Sequence, residues 1–247
     1  MANKQEPLTV FDVCLKTTAS FEGSDFGTVT GNFDGCGLSL GLMQWNLRSE
    51  TFKNYILSQV NLLSYDYFPV PITPLARLDG EQAVTWAKDV MLKIDGSVRD
   101  EWKIAWKEFL TNSAIINLQK VACGKYFHQA KCLAGRYGFK YEDKRAMAFF
   151  YDVSVQCWNM RDIENVDPHK EQATNILQMN SSENMVTWCN TELTEDQQKL
   201  VILAHYRSKK CLPEWRNDFF IRKATIAIGQ GIVHKQKYDF RKLFMES

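Results

Sequence analysis

Residues 21–46 read FEGSDFGTVTGNFDGCGLSLGLMQWN, and this stretch constrains the fold more than any other. Gly, Ser, Thr, Asp and Asn dominate it from Gly23 to Gly41. Such residues favour turns, through left-handed backbone and through side chains that bond their own main chain. Before it, Val10, Val13, Cys14, Thr17 and Phe21 recur at helical spacing, which predicts an amphipathic helix over 10–22. Gly23 is placed to stop that helix. Inside the stretch, Thr28-Val29-Thr30 has strand propensity and Asn32 to Gly37 supplies turn residues, which predicts a β-hairpin over 27–37. After it, Leu42, Met43, Trp45, Phe52, Tyr55, Ile56 and Val60 predict a long second helix.

Ser64–Asp79 carries Pro69, Pro71 and Pro74 and reads as a connection between two lobes. From Asp79 onward the pattern is helical. Asp79 with Gln82, and Thr194 with Gln197, have the spacing of capping boxes. Helices are predicted over 99–110, 113–137 with Gly138 as its stop, 142–158, 168–179, and 214–228 ending at Gly229. Ala146 to Val155 is apolar on too many sides for a surface helix and marks the centre of the larger lobe.

The chain has 247 residues and a formal net charge of +1. Near-zero net charge disfavours nucleic acid as a partner. No run is long and apolar enough to span a membrane, and MANKQEPLTV lacks the apolar core of a secretory signal. Seven cysteines, an odd number with no CxxC pair, point to synthesis in a reducing compartment and away from a zinc site. His128, His169, His205 and His234 are scattered and form no metal or nucleophile motif. No metal and no cofactor is expected.

Glu22 closes the first predicted helix and Asp34 sits in the hairpin. Glycoside hydrolysis uses two carboxylates on opposite sides of a sugar. The competing reading is a solvated turn with incidental acids. Beside Phe21, Glu22 is expected at the edge of the core, where burial suits a general acid.

Glu22, the hairpin, then Gly41-Leu42-Met43-Gln44 resembles the signature of goose-type lysozymes and lytic transglycosylases. Asp34-Gly35-Cys36-Gly37-Leu38-Ser39-Leu40-Gly41 resembles the chitosanase pattern D-G-R-G-x-T-x-G, with Cys36 in place of Arg and Ser39 in place of Thr. Phe150 to Gln156 resembles the chitosanase YD helix. The whole stretch also looks like the lysozyme-type domains of phage lysins and bacterial cell-wall toxins. The likeness covers about residues 18–48, with weaker echoes over 145–157 and 222–239. The departure at Cys36 matters, because the matching Arg in chitosanases lies beside the catalytic acids and the cationic sugar.

The resemblance implies a mostly α, two-lobed lysozyme-like (chitosanase-like) fold with one small β-hairpin beside the cleft. It implies a single catalytic domain over 1–247, with the acid and hairpin in a lobe over about 8–63 and a larger helical lobe over about 79–247. Glu22 is then the general acid. Asp34 is either the base that activates water or an Asx turn that holds the hairpin. With Asp34 as base the reaction inverts, the carboxyl groups standing ~6.5–9.5 Å apart. Ser39 helps hold that water or bonds backbone. Gln44 contacts an N-acetyl group or braces Glu22. Trp45 stacks on a sugar or lies in the core. Tyr151 and Asp152 line the cleft or brace the core helix.

The implied activity is a muramidase cleaving β-1,4 bonds of peptidoglycan, as a lysin or antibacterial toxin. The implied chain is monomeric, made in the cytoplasm and delivered to the wall by another system, with an immunity or delivery protein among its partners. A chitosanase, a lytic transglycosylase and a non-catalytic wall-binding module are the alternatives.

The cysteine count generates a first prediction. Reductant should leave the melting temperature unchanged within a few degrees, as followed by circular dichroism. A drop of tens of degrees would instead reveal structural disulfides.

Overall fold

The structure, a computed structural model, describes residues 7–32, 35–58, 68–160, 163, 173–179 and 192–245. It is mostly helical. Two compact units divide it: residues 22–125, and residues 1–21 together with 126–247. This differs from a division at the proline-containing loop, and the first unit shows why.

In the first unit, three two-residue strands form an antiparallel sheet: β1 (Val29–Thr30), β2 (Ser39–Leu40) and β3 (Trp45–Asn46). Thr30 pairs with Ser39, and Leu40 with Trp45. The helices α2 (Glu50–Tyr55), α3 (Gly80–Val90), α4 (Asp100–Thr111) and the first half of α5 (Ser113–Arg136) belong with this sheet. Asn32 N–H donates to Gly96 O at 2.9 Å, which ties the sheet to the loop after α3. Trp106 and Phe109, both buried, gather Phe52 and Phe68 around them. Helices past residue 79 therefore share a core with the hairpin. The capping box at Asp79 forms as expected, with Asp79 Oδ1 accepting from Gln82 N–H at 2.8 Å.

The long helix expected from Leu42 is not there. Gly41 and Gln44 both have left-handed backbone, with φ of +72° and +49°, so residues 41–44 make a turn. Trp45–Asn46 becomes the third strand, and helix begins only at Glu50, capped by Ser49. Val60, the far end of that expectation, lies outside the described residues.

The second unit holds α1 (Val10–Glu22) up to Phe21, the second half of α5, α6 (Lys144–Cys157), α7 (Ala173–Met179), α8 (Glu195–Ser208), α9 (Pro213–Ile228) and α10 (Arg241–Met245). The first part of the helix expected over 168–179 lies outside the described residues. A second antiparallel pair, β4 (Gln230–Val233) and β5 (Gln236–Asp239), follows α9 and was not expected from the sequence. Gly229, at φ +93°, ends α9. The last carbonyls of that helix are satisfied by side chains: Arg145 Nη1 donates to Ala227 O and Ile228 O at 2.9 and 2.8 Å, and Gln197 Nε2 to Ile228 O at 3.0 Å. Among the described residues, no helix is long and apolar enough to cross a membrane.

The centre of this unit is α6, whose residues from Ala146 to Ser154 are all buried. Asp152 on it is fully buried and faces two cations of α9. Arg222 donates through Nε and Nη2 at 2.9 and 2.7 Å, and Lys223 donates through Nζ. Burial alone would push the Asp152 carboxyl up, but the Arg222 and Lys223 charges hold it below the usual carboxylate range. Burial pushes the Lys223 ammonium down against the pull of Asp152. It keeps two acceptors, Asp152 Oδ2 and Gln156 Oε1.

Asp152→Asn should therefore destabilise the protein by about 3–5 kcal/mol at pH 7, because two buried cations lose their counter-charge. The folded-state carboxyl titrates below its unfolded value of about 3.9. Its stabilisation is thus present above that pH and is lost as pH falls toward the folded value. Urea denaturation at pH 7 and pH 3 checks both parts: the gap between parent and variant should be large at pH 7 and should narrow at pH 3.

Candidate active site

Helix α1 ends where the sequence places its end. Gly23, at φ +59°, turns the chain out of the helix. Phe21, the last apolar residue before it, is held by Tyr238 and Phe240, with ring centroids at 4.6 and 5.5 Å. The Arg222 guanidinium lies over the same ring at 4.8 Å. Glu22 itself is exposed. The burial expected for it at the edge of the core is not seen, because Phe21 fills that edge and the helical rotation to the next residue carries the carboxylate outward.

The loop that follows is fixed by short-range bonds. Asp25 Oδ1 accepts from Gly27 N–H at 2.8 Å and from Thr28 Oγ1 at 3.0 Å, so this carboxylate closes a turn. Ser24 Oγ donates to Leu42 O at 2.8 Å, and Gly41 N–H donates to Thr28 O at 2.8 Å. The segment after Glu22 is thereby joined to the Gly41-Leu42-Met43-Gln44 turn.

Gln119 of α5 locks this junction. It is fully buried, and its one amide makes three bonds to main chain. Oε1 accepts from Leu42 N–H at 3.0 Å, while Nε2 donates to Phe26 O and Leu110 O at 3.1 and 3.0 Å. Gly41 is required beside it, since a Cβ there would stand 2.4 Å from Gln119 Oε1. Sequence reading missed Gln119. Its signal was present: it shares a helical stripe with Ile115, Ala122 and Cys123, all buried, and a glutamine on such a stripe needs buried partners.

Gln44 is also engaged locally. Its Nε2 donates to Gly41 O at 3.1 Å, and its Oε1 accepts from Thr30 Oγ1 at 2.7 Å. Thr30 Oγ1 stands 3.1 Å from Ser39 O as well, so one hydroxyl proton serves two acceptors. The Gln44 side chain thus braces the sheet. Ser39 is half-buried in β2, between Thr30 and Asn46. Trp45 is 7% exposed and lies in the core, so no indole face is open to a sugar there.

Asp34 and Phe33 lie outside the described residues. On either side of them, Asn32 Oδ1 accepts from Gly37 N–H at 2.7 Å. Gly31 packs so closely on Gly96 that a Cβ would stand 2.3 Å from its carbonyl oxygen. Cys36 is half-buried. Arg48 Nη1 lies 3.4 Å from its Sγ while Nε and Nη2 grip Glu81 at 2.8 and 3.0 Å. A guanidinium therefore stands beside position 36, although residue 36 does not supply it.

Tyr151 and Asp152 are both fully buried on α6. Tyr151 packs on Phe11 and Tyr126, with centroids at 6.3 and 6.4 Å, and Asp152 is taken by Arg222 and Lys223. Neither presents a surface to a ligand in this structure. The apolar run around them, read from sequence as the central helix, is what covers them. Among the described residues, no three His, Cys, Asp or Glu side chains gather into a group that could hold a metal ion.

No family model and no curated protein matches this chain. Among solved structures, a family 46 chitosanase from Gynuella sunshinyii in complex with chitotetraose aligns with a TM-score of 0.47 and 13% identity. The alignment covers 89% of this chain and 86% of that one.

Gln119→Leu should loosen the junction after Glu22. The substitution keeps volume but leaves two carbonyls and one N–H without their partner, at about 1–3 kcal/mol for each group left unsatisfied. Urea denaturation should show the loss, and amide hydrogen exchange should rise at Leu42. Unchanged exchange there would show that Gln119 does not hold the turn.

Proposed function

We propose that the protein is a glycoside hydrolase that cleaves the β-1,4 bonds of peptidoglycan, with Glu22 as the general acid. The observation that carries this reading is the placement of Glu22. It is an exposed carboxylate at a helix end, on a segment bonded to the Gly41-Leu42-Met43-Gln44 turn through Ser24 and Leu42. The sequence likeness over about residues 18–48 to lysozyme-type domains supports the same residue pair of helix-terminal acid and glycine-rich turn.

In this mechanism Glu22 protonates the glycosidic oxygen as the bond to the anomeric carbon breaks. Asp34 takes a proton from the attacking water, and the product inverts. Without Asp34 as base, the substrate's N-acetyl oxygen attacks the anomeric carbon as the leaving oxygen takes the Glu22 proton; the C6 hydroxyl then displaces it, gives its proton to the Glu22 carboxylate and leaves a 1,6-anhydro sugar. Peptidoglycan is preferred to chitosan because Cys36 stands where the chitosanase pattern has Arg. Ser39 and Gln44 act by shaping the sheet and the Gly41–Gln44 turn that it carries. Acting as a lysin or antibacterial toxin, delivered to the wall by another system and opposed by an immunity protein, belongs to this proposal.

Glu22→Gln is the test. General acid catalysis contributes about 10²–10⁴-fold, so release of reducing ends from purified peptidoglycan should fall by that factor while the circular dichroism spectrum is kept. Chitosan assayed in parallel should give no product with either protein. Mass spectrometry of the fragments separates a reducing from an anhydro muramic acid end, and so decides whether water or the C6 hydroxyl ends on the anomeric carbon. An unchanged rate in folded Glu22→Gln protein would overturn the mechanism.

A further inference from the structure

A second site lies wholly within the unit built on α6 and α9. A cavity of about 350 Å³ opens between the end of α6 and the start of α9. That volume is near the lower bound for small-ligand pockets and suits a single sugar ring. Trp215 and Leu212 border it and are 61% and 64% exposed. Large apolar side chains so exposed at the rim of a cavity present a surface for a ligand. The buried ring of Phe219 lies deeper, with Lys223 Nζ 4.6 Å from its centroid.

Two polar groups face this cavity with fixed orientation. Gln156 Oε1 accepts from the buried ammonium of Lys223. An ammonium only donates, so the amide oxygen must point inward and the NH₂ group outward. That NH₂ has no partner among the described residues. Asp218 also lines the cavity; its Oδ1 is bonded to His234 Nε2, which leaves Oδ2 as an acceptor. Cys157 and Cys211 complete the lining. Burial pushes the Cys157 thiol up, against the lowering effect of Arg207 and Lys223, so it is a neutral wall at pH 7.

We infer that this cavity binds a 2-acetamido pyranose, the N-acetylhexosamine unit of a glycan. The indole of Trp215 offers a flat face to the apolar face of the ring. The acetamido group carries one acceptor and one donor. Its carbonyl matches the Gln156 NH₂ and its N–H matches Asp218 Oδ2, while Phe219 offers apolar surface to its methyl. A free amino sugar matches less well, because it lacks the carbonyl that would accept from the Gln156 NH₂ and the methyl that would meet Phe219, and keeps only a contact to Asp218. The choice of an N-acetylated glycan rests on the proposed function; the geometry of the cavity does not depend on Glu22.

Titration of the full chain carrying Glu22→Gln with triacetylchitotriose tests the site without turnover. The Trp215 indole N–H signal, assigned through Trp215→Phe, should shift and saturate, and deacetylated chitotriose should leave it in place. Gln156→Glu keeps an acceptor for Lys223 but removes the outward donor. It should weaken binding at this signal about tenfold, the effect of losing about 1.4 kcal/mol. Trp215→Ala, read through the Gln156 side-chain amide signals, should weaken it about as much. An unmoved Trp215 signal, affinity unchanged from the parent protein in both variants, or an equal response to the deacetylated sugar would overturn the inference. Binding here without any turnover by the parent protein would reject the hydrolase reading and leave this one standing.

Discussion

A carboxylate with no access to water, Asp152, organises the helical unit. One negative charge on α6 faces two positive charges on α9, so the cluster carries a net positive charge inside the protein. Such an arrangement contributes little to stability against an apolar core of the same volume, yet it tolerates few alternatives, because moving any partner leaves a buried charge alone. Its effects reach outward in two directions. Arg222, fixed by Asp152, lies over the ring of Phe21, the residue before Glu22. Lys223, fixed by the same carboxylate, sets which way the Gln156 amide faces. Asp152 is therefore a positioning residue for surfaces it never reaches.

The other unit solves the same problem with a neutral group. Gln119 satisfies three main-chain atoms from two loops and a helix end with one amide. A neutral amide costs less to bury than an ion, and its planar shape fixes the directions in which those loops approach. Gly41 follows from this, since nothing larger fits against Gln119 Oε1. Gln119 thereby holds the left-handed turn at its Gly41–Leu42 end, while Gln44, bonded to Gly41 O and Thr30, holds the other.

What was legible in the sequence was local. The bounds of α1, the capping boxes at Asp79 and Thr194, and the stops at Gly138 and Gly229 all depend on residues within one helical turn of each other. What was not legible was paired over distance or too short to have a period. A strand of two residues, such as β3, cannot show alternation. The β4–β5 turn is built from His234 and Lys235, both with positive φ and neither a glycine, so the usual turn signal is missing. Asp152 read equally as a cleft residue and as a core brace, because its cations lie 70 and 71 positions away. Of the candidate site residues, Glu22 falls at the helix end that its local sequence predicts, though exposed, while the Gly41–Gln44 turn stands where local sequence predicts the start of a helix. Trp45, Tyr151 and Asp152 were not placed by local sequence, since burial is a property of the whole unit.

An exposed acid sets a condition on the proposed mechanism. Electrostatic catalysis gains when water is excluded from the reacting atoms, and Glu22 is open to solvent in this structure. The exclusion must then come from the substrate that covers it. That places the demand on the backbone around Glu22, since a carboxylate awaiting a polymer has to be held in position before the polymer arrives. Within the unit that holds residue 22, Ser24 meets that demand, bonded to the turn that Gln119 secures. On the proposed function, the glycan strand itself brings the surface that shields the bond being broken, and the loop after Glu22 has only to hold the carboxylate where that strand will lie.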